Sequence, residues 1–127
     1  MTDRRPEHAW FSKADDDLVL ARRALGPDRP LPGLACFLAQ QCAEKYLKGY
    51  LVAHGVPFRF VHDLGYLIDL CTGLDPAFAD LMPAAITLNP YAGAARYPAE
   101  AAQEPDIPRA QDAVRRAQQI ADFVLQS

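Results

Sequence analysis

A polar strip interrupts an otherwise apolar run at residues 34–54, LACFLAQQCAEKYLKGYLVAH, and holds much of the candidate chemistry of this chain. Gln41, Glu44, Lys45 and Lys48 are its members, with Gln40 beside them. Lys45 and Lys48 are close enough on a helix to floor an anion site, while Glu44 and Lys48 have the i, i+4 spacing of an ordinary surface ion pair. His62 beside Asp63 offers an acid–base or ligand group with a carboxylate neighbour; the structural alternative is that the pair caps a helix. Arg96 and Tyr97, within ARYP at 95–98, combine a guanidinium that forks onto phosphate or carboxylate with a ring that stacks on a base. The structural alternative pairs Arg96 with Glu44 and pins its loop to the strip. Tyr91 lies in the same segment. Arg109, Arg115 and Arg116 could touch RNA, although a solvated polar face accounts for them equally well.

Other chemistries are excluded by what the chain lacks. There is no glycine-rich phosphate loop, no Ser/His/Asp arrangement and no paired-carboxylate motif. Cys36, Cys42 and Cys71 show no CxxC spacing or His/Cys cluster, so they read as buried thiols, and neither a metal site nor a cofactor is expected. A net charge of −3 gives no global attraction to nucleic acid or to acidic membranes. The first residues are charged and no run is long and apolar enough for a membrane span, so a cytoplasmic protein with no membrane association is expected.

Helical periodicity places these groups. At 100° per residue, Gln40, Gln41, Glu44, Lys45 and Lys48 fall within roughly 140° of arc. Leu38, Cys42, Tyr46 and Tyr50 face the other way, and Ala35, Ala39 and Ala43 allow close helix contact. Such a helix belongs at the centre of a bundle, with its strip meeting water, a partner or a ligand. A first helix is predicted over 6–25, a third over 62–74, and a short fourth from Asp75-Pro76 that Pro83 kinks or shortens. The pattern breaks down over 87–105, and the last helix runs from about 106 to the end. The expectation is one all-α domain over 1–127, an up-and-down four-helix bundle with one additional short helix. Phe58 and Phe60, in the short loop before His62, add aromatic surface suited to self-association.

The ordered set ACFLAQQCAEKYLKGYL at 35–51, HDL at 62–64, a tyrosine with ARYP at 95–98, and a closing amphipathic helix resembles the HEPN family. Resemblance implies a helical bundle that commonly pairs with itself and is often encoded beside a small nucleotidyltransferase, as in toxin–antitoxin pairs. Many HEPN proteins are metal-independent ribonucleases that carry Arg, four to six intervening residues, then His. This chain departs from that pattern. His8, His54 and His62 have no arginine at the required distance, and the C-terminal helix has no histidine. Relatives often have two adjacent tyrosines before RYP and an Asp after it, where this chain has Tyr91-Ala92 and Ala99.

The resulting expectation is a homodimeric helper that binds a nucleotide, RNA or a nucleotidyltransferase partner and performs no catalysis. Arg96, Tyr97, Tyr91, Lys45, Lys48, Glu44, Gln41 and His62 are its contact candidates. The alternatives are a divergent ribonuclease, for which His62 is the weak catalytic candidate, and a purely structural dimer.

Overall fold

Proline opens nearly every helix of this chain, in the first turn, where its missing N–H costs nothing. The computed structural model describes residues 5–93 and 104–127. Among these residues five α-helices follow one another: α1 (Pro6–Ala24), α2 (Pro32–Ala53), α3 (Leu64–Thr72), α4 (Met82–Leu88) and α5 (Ile107–Leu125). Two short 3₁₀ turns, Pro76–Leu81 and Asn89–Ala92, flank α4, and no strand occurs among the described residues. The all-α expectation holds. Pro83, expected to kink or shorten a helix, instead sits in the first turn of α4 and helps to start it. The helical pattern, expected to break down from residue 87, instead continues through α4 to Leu88 and a 3₁₀ turn to Ala92, and the rest of that expected stretch up to residue 103 lies largely outside the described residues.

Every other α-helix touches α2. Ala35, Ala39 and Ala43 are fully buried along it, so the neighbouring backbones can approach closely. Against α1, Gly49 meets the Trp10 and Phe11 side chains, and Lys45 reaches Asp17 at 2.5 Å. These pairings run the two helices antiparallel. On the other side Phe78, from the first 3₁₀ turn, packs between Tyr50 of α2 and Phe123 of α5 at ring separations of 4.6 and 4.7 Å.

α2 ends where Gly55 adopts φ +67°, a left-handed conformation that glycine takes without penalty. The Val56 N–H donates to the Leu51 carbonyl and the Gly55 N–H to Val52, closing a Schellman turn. The chain then doubles back along α2. Phe58 lies under Lys48, and His62 reaches Glu44 and Gln40, so α3 begins beside the middle of α2. Asp63 caps α3 by accepting from the Gly65 and Tyr66 amides. Asn89 clamps the far side of that cap: its Nδ2 donates to Asp63 Oδ1 and its Oδ1 accepts from the Leu64 N–H. Glu104 lies against Gly33, in the first turn of α2, which has no side-chain cap of its own.

Two outcomes are expected. In Gly49→Ala the new Cβ would stand 2.6 Å from Phe11 Cε1 and 2.9 Å from Trp10 Cβ. Alanine gains about 1 kcal/mol of helix propensity, but overpacking against rigid rings costs about 1–3 kcal/mol. The urea midpoint should fall; a raised midpoint contradicts the packing argument. The second concerns acid. The Asn89 hydrogen bond, aided by the Tyr66 and Gly65 amides, holds the Asp63 carboxyl below its usual range. A depressed folded-state pKa contributes stability that is present above the unfolded value and lost as pH falls through the folded one. Asn89→Ala should therefore move the Asp63 titration, followed by NMR, to higher pH, with acid loss starting earlier.

Candidate functional site

The polar strip of α2 is largely buried within the chain. Gln40 is 0 %, Glu44 4 % and Lys48 6 % exposed. Glu44 accepts on both oxygens: Oε2 from Lys48 Nζ at 3.0 Å, and Oε1 opposite His62 Nδ1 at 2.8 Å. Gln40 Nε2 lies 3.3 Å from the same Oε1 and donates to the His62 carbonyl at 3.2 Å. Gln41 Nε2 completes the chain by donating to Gln40 Oε1. A carboxylate taken out of water is tolerated only when so surrounded. Among the described residues, no buried side-chain nitrogen or oxygen lacks a hydrogen-bond partner.

Three sequence expectations change. Glu44 and Lys48 form a buried pair and not a surface one, because the returning 56–63 segment covers them. His62 pairs with Glu44, eighteen positions away, while the neighbouring Asp63 serves α3. Lys45 does not share an anion site with Lys48, since each is held by a different carboxylate. The structure thus brings together Gln41, Glu44, Lys48 and His62. Lys45 belongs to the α1–α2 contact, and Arg96 and Tyr97 lie outside the described residues. The His62 side chain, 55 % exposed, is the end of the network that reaches solvent.

Tyr91 stands elsewhere. It shares an open groove of about 400 Å³ with Thr87, Asp106, Pro108, Arg109 and Asp112. Its hydroxyl meets the Cys36 thiol; burial dominates both groups, raising the tyrosine and pushing the thiol up to about 11. Burial likewise raises Cys42 and takes Cys71 to about 12, so the three buried thiols stay protonated near neutral pH. Among the described residues no group of three or more His, Cys, Asp or Glu converges as metal ligands. No described helix is long and apolar enough to cross a membrane.

Asp17, Asn89 and the groove carboxylates Asp106 and Asp112 are partners that sequence reasoning missed. Helical phase gives the direction of Lys45, but not which α1 residue stands opposite. Asn89 signals only a turn before Pro90, and Asp106 only a helix start.

The Glu44 network yields its own test. Glu44→Ala leaves the Lys48 ammonium buried without its carboxylate and should cost about 3–5 kcal/mol. Replacing both, Glu44→Leu with Lys48→Met, should recover much of that loss in a urea titration. A double variant as unstable as Glu44→Ala would show that the pair itself, and not the orphaned charge, carries the stability.

The chain is similar to two solved structures along its whole length. One is TT1696 from Thermus thermophilus, 32% identical, with 97% of this chain and 98% of that one covered and a TM-score of 0.78. The other is ST0689, described as an archaeal HEPN homologue, 27% identical, with the same coverage and a TM-score of 0.71. No curated protein matches. The HEPN domain model matches residues 8–127. With the helical order, the AQQCAEKYLK strip and HDL all in place, this chain belongs to the HEPN domain family.

Proposed function

We propose that this HEPN protein is a cytoplasmic binding module without catalysis of its own, self-paired and acting with a small nucleotidyltransferase in a toxin–antitoxin-like pair. One observation carries the non-catalytic part. Both oxygens of Glu44 are committed, to Lys48 and to His62, inside a network that needs no external ligand. Cleavage of a phosphodiester needs a free titratable group beside a cation that meets developing charge. The strip's buried cation is instead neutralised, and no Arg–x₄₋₆–His pair exists in the chain. Nucleotide contact falls to the groups that the network leaves open, the His62 ring and Gln41, and, on the chemistry of their side chains alone, to Arg96 and Tyr97.

A second reading has one observation in its favour. A carboxylate behind His62 Nδ1 orients the ring and leaves Nε2 as a base, the arrangement of a general-base dyad. Clean protein that cleaves a structured RNA, with activity abolished in His62→Ala, would establish that reading.

The binding reading predicts a nucleotide-induced rise in melting temperature. A nucleoside triphosphate at a hundred times its Kd stabilises by about 2.7 kcal/mol, worth several degrees in a domain of this size. Arg96→Ala should lose the rise while melting normally on its own. No rise with any nucleotide, together with no co-purifying nucleotidyltransferase on co-expression, removes the proposal.

A further inference from the structure

His62 presents a nitrogen that the Glu44 network leaves unused. The ring is held from behind, with Nδ1 2.8 Å from Glu44 Oε1. That carboxylate is buried and is itself fixed by Lys48 Nζ at 3.0 Å and Gln40 Nε2 at 3.3 Å. A carboxylate only accepts, so Nδ1 of the neutral imidazole carries the proton and Nε2 keeps its lone pair. Among the described residues Nε2 has no hydrogen-bond partner, and the side chain is 55 % exposed. The segment that carries the ring is braced as well. Phe58 packs edge-on to Trp10 at 6.2 Å, the Arg59 N–H donates to the Tyr66 hydroxyl at 3.1 Å, and Gln40 holds the His62 carbonyl. The lone pair is thus offered to solvent from a fixed frame.

Three uses of such a nitrogen compete. A metal needs further ligands, and among the described residues no group of three His, Cys, Asp or Glu converges. A general base needs a substrate held within reach, beside a cation free to meet developing charge. The nearby Lys48 is committed to Glu44. A nucleophile asks for less: an accessible lone pair, and compensation of the positive charge the ring acquires when it forms a bond. Glu44 supplies that compensation through the Nδ1 proton, and the exposed edge of the ring leaves room for a charged group to stay hydrated.

We infer that His62 Nε2 is a phosphoryl acceptor, taking its phosphoryl group from a donor of the acyl-phosphate class. The Nε2 lone pair forms the N–P bond while the bond from phosphorus to the acyl oxygen breaks, and the carboxylate leaves with the electron pair. Nε2 carries no proton, so none has to be removed; the Nδ1 proton stays on the ring, facing Glu44. The product ring is positively charged opposite Glu44 Oε1, with the phosphoryl oxygens in water. A phosphoryl group also brings negative charge to offset that of the ring, which a neutral acyl group does not. The inference uses the Glu44–His62 geometry and requires neither nucleotide binding nor RNA cleavage.

The full chain contains its own controls. His8 and His54 are exposed too, but among the described residues neither is paired with a carboxylate. Incubated with acetyl phosphate at neutral pH, the native protein should gain phosphoryl at His62 roughly ten times faster than at His8 or His54, a small part of what an orienting carboxylate contributes in a water-excluded site. Peptide mapping locates the label, and an N–P bond is lost in mild acid and kept in alkali, unlike a phosphoester. Glu44→Gln with Lys48→Met keeps an acceptor behind the ring and removes its charge, so the His62 rate should fall to that of the other two histidines. Equal labelling of the three in the native protein, or none at His62, overturns the inference. So does an unchanged His62 rate in a double variant that melts cooperatively, because the reactivity would then owe nothing to Glu44. If the double variant does not fold, the comparison among the three native histidines decides alone.

Discussion

A single carboxylate in the middle of the central helix organises one side of this molecule. Glu44 is only 4 % exposed, and a charge left unpaired there would cost about 3–5 kcal/mol. Lys48 lies on the same helix and comes with it, but His62 does not. To bring His62 to Glu44, the chain after Gly55 must turn sharply and run back along α2. That return path sets where α3 starts, and α3 sets where Asn89 can clamp its cap. The 3₁₀ turn after α4, and Tyr91 within it, follow from the clamp. A polar interaction thus decides the course of the chain between α2 and α3.

The same network separates groups that look alike in sequence. Lysines 45 and 48 differ by three positions, yet one ties α1 to α2 and the other neutralises a buried carboxylate. Neither is left to attract an anion. Among the described residues, the His62 ring, the Phe60 turn and the groove around Tyr91 and Arg109 are open to solvent. These carry an imidazole, an exposed aromatic ring and a mixed-charge cleft.

Much of this is legible without the fold. The helices follow from 3.6-residue periodicity, and their starts from Pro6, Asp63, Asp75 and Asp106. The core face of α2 includes the expected Tyr46 and Tyr50, and the three-four spacing of Ala113, Ile120 and Val124 marks that of α5. The strip itself is visible too, but not its burial. Periodicity reports which residues share a face and is silent on what covers that face. The covering segment, 56–63, has no period of its own, and the Glu44–His62 bond joins residues whose nearness depends on a sharp turn at Gly55. Asp63, adjacent to His62 in sequence, is the natural partner to suspect. Its carboxylate is occupied by backbone amides because α3 needs a cap there. Pro83 misleads for a similar reason: whether a proline breaks a helix or starts one depends on where the preceding turn ends, and the 3₁₀ turn ends just before it.

A hydrophobic isostere of the Glu44–Lys48 pair would fill the same space, and buried ion pairs are often no more stable than such replacements. What the isostere would lack is direction. Apolar contact would let the 56–63 segment settle on α2 in several registers, whereas a carboxylate that must meet one imidazole admits a single register. The Gln40 bond to the His62 carbonyl restricts the backbone at that point as well. Phe60 lies two residues before His62 and two after Phe58, between these restraints and the Trp10 contact. Among the described residues, the position of the most exposed ring is therefore inherited from the most buried charge. Loosening the network would blur where that ring stands before it unfolded the bundle, because α1, α2 and α5 are held by apolar packing that does not involve Glu44.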